Sequence, residues 1–320
     1  MTAPRDPPPS LLNAYTLGNQ VPLARLYVDE AQHVDYRSRI TVSRSELEGC
    51  VKEARRHLLV AGHRPALSGV SRGEVAAALS RAGVAAVENK EVIVFGATEP
   101  WVECICVAAG AKRVLTVEYQ QLEYEHPKMS TITVANFAAA VRGGGRLAAS
   151  FDIAIALSSF DHDGLGRYGE RLHPNGDLLA MRSAWQALRP HSGRLLLSAP
   201  VGPDLVVWNL HRRYGTLRLP LLLAGWEEES RIGWDAARLT AVADHRRRFE
   251  PIFVLRRNST EDLGLADVGL PHDRASCAAQ DAGTGVVLVE SSEGESGSPD
   301  SSVVTVEGGE SGEGCYKQVS

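Results

Sequence analysis

The chain has 320 residues, of which 44% are hydrophobic and 23% charged, and a formal net charge of −5. This is the composition of an ordinary globular protein with one or two domains. No apolar run approaches the roughly 20 residues of a membrane span, and the Pro-rich stretch from Met1 to Ser10 lacks the apolar segment of a secretory signal. The charge is unevenly placed. From Asn258 onward, twelve acidic residues face only Arg274 and Lys317, so that stretch carries −10 and the remainder +5. The same stretch holds ten Gly and ten Ser. Too little apolar surface is available there to offset ordering entropy, which predicts a disordered acidic tail over 258–320. A +5 balance is too mild for a nucleic-acid surface. The five cysteines are odd in number and scattered. They argue against a disulfide scaffold and for a reducing, cytoplasmic setting. Cys104 and Cys106 diverge on a helix, which argues against a zinc pair.

Taken in chain order, Ser45 to Glu48 is a capping-box pattern followed by Leu47, Val51, Ala54 and Leu58 at helical spacing. A second such pattern opens at Ser71 and stops at Gly83. Helices at about 45–61 and 71–82 therefore make a small helical lead-in of about 40–84, within an N-terminal extension over 1–84. The rhythm then changes. Val92 to Phe95 is a wholly apolar β-type run ending at Gly96, as suits a central strand buried on both faces. A helix opening at Glu99-Pro100-Trp101 closes at Gly110. Strands follow over Arg113 to Val117, weakly over Thr131 to Val134, and over Phe151 to Leu157. A helix spans Asp177 to Leu188, the next strand is Leu195 to Ala199, and a last strand, Pro251 to Leu255, follows a basic helix over about 237–248. This alternation predicts an α/β fold with a Rossmann-like, doubly wound, mostly parallel sheet over 85–257.

In such sheets ligands bind beyond the carboxyl ends of the strands. Four signals lie there. Gly96 permits a tight turn and close approach to a ligand. Glu118, 22 residues on, can accept both hydroxyls of a ribose; the alternative is a plain turn and a cap. Thr98 and Trp101 stand where a dinucleotide fingerprint needs glycine, so a nucleoside without pyrophosphate, S-adenosylmethionine (SAM), suits the loop better. Asn136 and Ser158 close two further strands and complete the candidate cofactor set. The densest run is Ser158 to Asp177, where His162 between Asp161 and Asp163 forms a candidate acid–base group. Its blander reading is turn chemistry, with Asp177 capping the helix. Arg167 and Tyr168, with Trp208, His211 and Tyr214 after the fifth strand, form a candidate wall for a polar acceptor; the alternative for the last three is a packed amphipathic segment. No metal site is expected.

The run Leu188-Arg-Pro-His-Ser-Gly-Arg-Leu-Leu-Leu resembles the entry to the fifth strand of class I SAM-dependent methyltransferases. Gly96-Ala-Thr-Glu-Pro-Trp-Val-Glu103, Thr116-Val-Glu-Tyr119, His162-Asp-Gly-Leu-Gly-Arg-Tyr-Gly169, Pro200-Val-Gly202 and Trp208 to Gly215 resemble a nematode-type family of uncharacterised, methyltransferase-like proteins. The resemblance covers about Val92 to Arg257. It implies a SAM-methyltransferase-like Rossmann fold and no established activity. Two readings follow: a SAM-dependent methyltransferase acting on a small-molecule or glycan acceptor, or a non-catalytic binding module on the same fold. A Gly96–Glu118 crevice blocked by Trp101 favours the second. A different enzyme using NAD or a nucleotide sugar fits the single-glycine loop poorly.

Overall fold

The computed structural model describes residues 3–28, 39–60, 87–97, 99–241 and 249–258, all within one compact unit, Met1–Leu270. The expected helix at 71–82, most of the basic helix at 237–248, and the tail beyond 258 lie outside the described residues. In chain order the elements are α1 (Pro9–Tyr15), β1 (Leu23–Arg25), β2 (Arg39–Val42), α2 (Arg44–Val60), β3 (Glu91–Phe95) and α3 (Trp101–Ala108). They continue with β4 (Arg113–Glu118), β5 (Gln121–Tyr124), β6 (Met129–Thr133), α4 (Val134–Val141), β7 (Ile153–Leu157) and α5 (Gly176–Ala187). The last are β8 (Arg194–Ser198), β9 (Leu205–Trp208), β10 (His211–Arg213), α6 (Arg218–Leu222), β11 (Glu227–Ile232) and β12 (Ile252–Arg256).

Seven strands form the main sheet in the order β11-β12-β8-β7-β3-β4-β6. Five are parallel, and β12 and β11 complete one side in antiparallel pairing. This is the Rossmann-like, doubly wound, mostly parallel α/β sheet expected from the sequence. The apolar runs alternate between two cores. Ile93, Phe95, Leu195 and Leu197 face Phe137, Met181 and Trp185 of α4 and α5. Val92, Val94 and Leu196 face Leu47 and Val51 of α2 and Ile105 of α3. Each central strand is thus covered on both sides, which is why its sequence is apolar at consecutive positions. The chain passes from β3 to β4 on one side and returns to β7 on the other, so the strand order reverses between β3 and β7.

Several local findings differ from the sequence reading. The weak strand is Met129–Thr133, and a helix begins at Val134. The Thr133 side chain accepts the Asn136 N–H at 3.4 Å and caps α4. Asn136 therefore stands in a helix's first turn rather than at a strand end. The strand β5, which pairs with β2, carried no expectation. Nor did residues 3–28, whose β1 pairs with β9 to make a three-stranded sheet with β10. Cys50 and Cys104 are joined in a disulfide with Cα atoms 5.8 Å apart, whereas the cysteine pattern argued for a reducing setting. The pairing follows from α2 packing along α3, a contact that cysteine spacing does not encode.

Helix α3 also buries a carboxyl. Glu103 is 0% exposed and accepts the Thr116 hydroxyl at 2.7 Å. Burial raises its pKa from 4.5 to about 7, despite that hydrogen bond. Between these values the unfolded chain loses the proton while the folded chain keeps it, so stability falls as pH rises through the window. The fall amounts to about 3 kcal/mol. We expect Glu103→Gln to remove this component. Urea midpoints at pH 5 and pH 7.5 should then lie closer together in the variant than in the parent, and equal spacing in both would count against it.

Candidate functional site

Beyond the carboxyl ends of β3, β4 and β7, at the reversal in strand order, two cavities of about 550 and about 300 Å³ lie against each other. Gly96, Glu118, Tyr119, Ser159 and Asp163 border both. The first cavity is largely apolar, with Phe95 and Val117 of the sheet, Phe137 of α4 and Leu179 of α5 in its wall. The second is more polar and includes Trp101, Ser158, His162, Arg167 and Tyr168.

Gly96 has φ +71°, and a Cβ there would stand 2.9 Å from the Cβ of Ser159. Glycine is therefore required for β3 and the end of β7 to approach each other. Ser158, just before, holds φ +49°, and its hydroxyl donates to Glu250 Oε1 at 3.2 Å. A non-glycine residue in the left-handed region costs about 1–3 kcal/mol and persists where the surroundings hold it. Glu118 accepts the Ala97 N–H at 2.8 Å on one oxygen and the Tyr119 N–H at 2.7 Å on the other. It closes the turn after β3 onto the end of β4. Burial raises its pKa, opposed by these backbone donors.

A loop over 159–176 covers the strand ends. Arg212 of β10 is fully buried beneath it and donates to the Asp163 and Pro174 carbonyls at 2.7 and 3.0 Å. Tyr15 of α1 donates its hydroxyl to the Gly164 carbonyl at 2.6 Å. At the loop's end Asp177, fully buried, receives Nε and Nη2 of Arg218 at 2.9 and 2.6 Å and the Tyr214 hydroxyl at 3.1 Å. Burial alone would raise the Asp177 pKa, but Arg212 and Arg218 outweigh it and hold the carboxyl below its ordinary value. The expected capping role is replaced by this buried ion cluster.

The candidate acid–base group is dispersed. Asp161 is fully buried and borders neither cavity. His162 borders the second cavity, yet its Nδ1 faces the Leu210 carbonyl and its Nε2 stands 3.5 Å from Asp161 Oδ2. Asp163 is where the two cavities meet, and it accepts the Tyr119 hydroxyl at 2.8 Å. Burial pushes its pKa well up, and the nearby Glu170 pushes in the same direction, while the Tyr119 bond and Arg212 oppose. Arg167 lies over the Tyr168 ring at 5.1 Å, and Tyr168 stacks on Tyr119, both at the second cavity. Trp208 and Tyr214 are 0% exposed and His211 2% exposed. They pack beneath the loop and border neither cavity. Asn136 does not border the cavities either, whereas its helix neighbours Val134 and Ala135 do. Tyr119, Trp101 and Glu170 were not singled out as site residues. Tyr119 and Trp101 lie within the runs Thr116 to Tyr119 and Gly96 to Glu103, and Tyr119 directly follows β4, so strand-end position could have found Tyr119.

The chain is similar in structure to the 1,6-didemethyltoxoflavin-N1-methyltransferase of Burkholderia thailandensis, at 14% identity and a TM-score of 0.39, over 74% of this chain and 94% of that one. It is also similar to a SAM-dependent methyltransferase from Mesorhizobium loti, at 15% identity and a TM-score of 0.38, over 55% of this chain and 95% of that one. No curated protein matches. A family model described as "Caenorhabditis protein of unknown function, DUF268" matches residues 89–249, half of the chain and nearly the span over which the sequence motifs resemble a nematode-type family. The chain belongs to this family.

Proposed function

We propose that the chain is a SAM-dependent methyltransferase acting on a small-molecule or glycan acceptor. The observation that carries this reading is the pair of adjoining cavities at the reversal in strand order, an apolar one and a polar one, meeting at Glu118 and Asp163. Trp101 forms part of the second cavity's wall and leaves the crevice between Gly96 and Glu118 open.

The residues fit a nucleoside better than a dinucleotide. The space that a Cβ on Gly96 would take is filled by Ser159, not left as a cradle for phosphate. The Glu118 carboxylate accepts the backbone N–H groups of Ala97, Tyr119 and Gln120, which leaves room for one further donor such as a ribose hydroxyl. The apolar cavity suits an adenine ring. When bound, SAM supplies an electrophilic methyl group. The chain's part is positioning: Asp163, oriented by Tyr119, accepts a hydrogen bond from the acceptor, while Arg167 and Tyr168 hold its body. One observation favours the non-catalytic reading instead, namely that both His162 ring nitrogens face protein groups.

Calorimetry on the full chain tests the proposal. We expect S-adenosylhomocysteine to bind and Glu118→Ala to weaken it by tenfold or more. Glu118→Gln, which keeps an oxygen for the Ala97 N–H, should lose less. No heat at millimolar ligand with the folded parent protein would overturn the proposal. Binding without methyl transfer to any acceptor in a broad panel would select the non-catalytic module.

A further inference from the structure

A third cavity, about 610 Å³, opens at the other end of the same strands, at the amino ends of β3 and β4, and is bordered by the loop that follows α4. Nothing in the proposed function uses it. Its lining carries Arg113, Arg146 and Arg189 against the single carboxylate of Glu91, with Lys90, Lys112 and Asp152 nearby but outside the wall. Glu91 binds Arg113 through Nε and Nη2 at 3.0 and 3.1 Å and also Lys112 at 3.1 Å. Asp152 binds Arg189 at 3.1 Å and lies 4.0 Å from Lys90. Two carboxylates are thus shared among four cations. Arg146, from the loop after α4, adds a fifth and has no carboxylate partner among the described residues. The guanidinium groups of Arg113 and Arg189 keep N–H donors that their carboxylates do not use. The rest of the wall combines apolar Val114, Leu115, Ile132 and Leu147 with the hydroxyl-bearing Ser130, Thr131 and Ser150.

We infer that this cavity is a second ligand site, for a small organic anion with a phosphate or carboxylate head held by Arg146, Arg113 and Arg189 and an apolar body against the sheet. Guanidinium groups bind such heads through paired, charge-assisted hydrogen bonds. The volume is that of a site for one small molecule. Ala149, in the same loop, holds φ +51°, while its N–H donates to the Gln186 carbonyl at 2.8 Å. The backbone beside Arg146 is therefore fixed by α5 rather than free to follow the side chain.

The test is calorimetry on the full chain in a phosphate-free buffer, with phenyl phosphate and inorganic phosphate as probes. Phenyl phosphate should bind more tightly than inorganic phosphate, and its affinity should fall with added sodium chloride. Arg146→Gln should weaken it about tenfold, and Arg146→Glu should abolish it. Both variants should melt like the parent, since Arg146 is exposed. Absence of heat with phenyl phosphate, equal affinity for the two probes, or unchanged affinity in both variants would each overturn the inference. None of these outcomes depends on whether S-adenosylhomocysteine binds at the opposite end of the sheet.

Discussion

Replacing Asp177 by Ala should destabilise the protein by about 3–5 kcal/mol, the cost of removing one partner from a buried ion pair. Asp177, Arg212 and Arg218 are all essentially inaccessible to water. Without the carboxylate, two guanidinium groups remain buried, Arg218 loses both its bonds to Asp177 and keeps the Pro174 carbonyl, and the Tyr214 hydroxyl loses its acceptor. The damage should reach the site. Arg212 stands 3.8 Å from Asp177 and holds the carbonyls of Asp163 and Pro174, so the cover over both cavities shares this anchor. Urea unfolding measures the loss. The double variant Asp177→Leu with Arg218→Met provides the control, since it removes the stranded charge and should recover a substantial part. A loss below about 1 kcal/mol for Asp177→Ala would show that the cluster adds no net stability, as some buried pairs do.

Tyr15→Ala should cost a similar amount, about 3–5 kcal/mol, as expected for emptying a large aromatic site in a core. Tyr15 is fully buried, edge-on to Trp208 with ring centroids 5.2 Å apart, and 6.0 Å from the Arg212 guanidinium. It anchors a small core of its own with Val21, Leu165, Val206 and Trp208. Tyr15→Phe should cost only about 1 kcal/mol, the value of the hydrogen bond to Gly164. The two variants separate packing from tethering. In hydrogen exchange, Tyr15→Phe should speed exchange over 159–176 while leaving β3, β4 and β7 protected. Exchange of that loop unchanged in both variants would show that the amino-terminal segment does not hold it.

The central sheet was legible because its physics is local. A strand buried on both faces must be apolar at consecutive positions, and Val92 to Phe95 and Leu195 to Leu197 are. The helix over Asp177 to Leu188 was equally plain from Leu178, Met181 and Trp185. What stayed hidden depends on contacts distant in sequence. Residues 3–28 show no periodicity, because their order comes from Tyr15 meeting Gly164 and β1 meeting β9. At the site, strand-end logic selected Gly96, Glu118, Ser158 and Asp163, all of which border the cavities. It could not tell that Asp161 turns inward while Asp163, two residues on, turns toward the cavities. Nor could composition show that Trp208, His211 and Tyr214 are packed away. An aromatic and basic segment reads alike whether it faces a ligand or, like Arg212, staples a loop from below.

The Cys50–Cys104 bridge gives the amino-terminal part of the molecule a second attachment. The residues between the two sulfurs form a closed ring with a sequence separation of 54. A protease that cuts once anywhere between α2 and β3 therefore yields two polypeptides that still travel as one molecule. They part only under a thiol reductant and a denaturant together, because Leu47 and Val51 continue to hold α2 against the sheet.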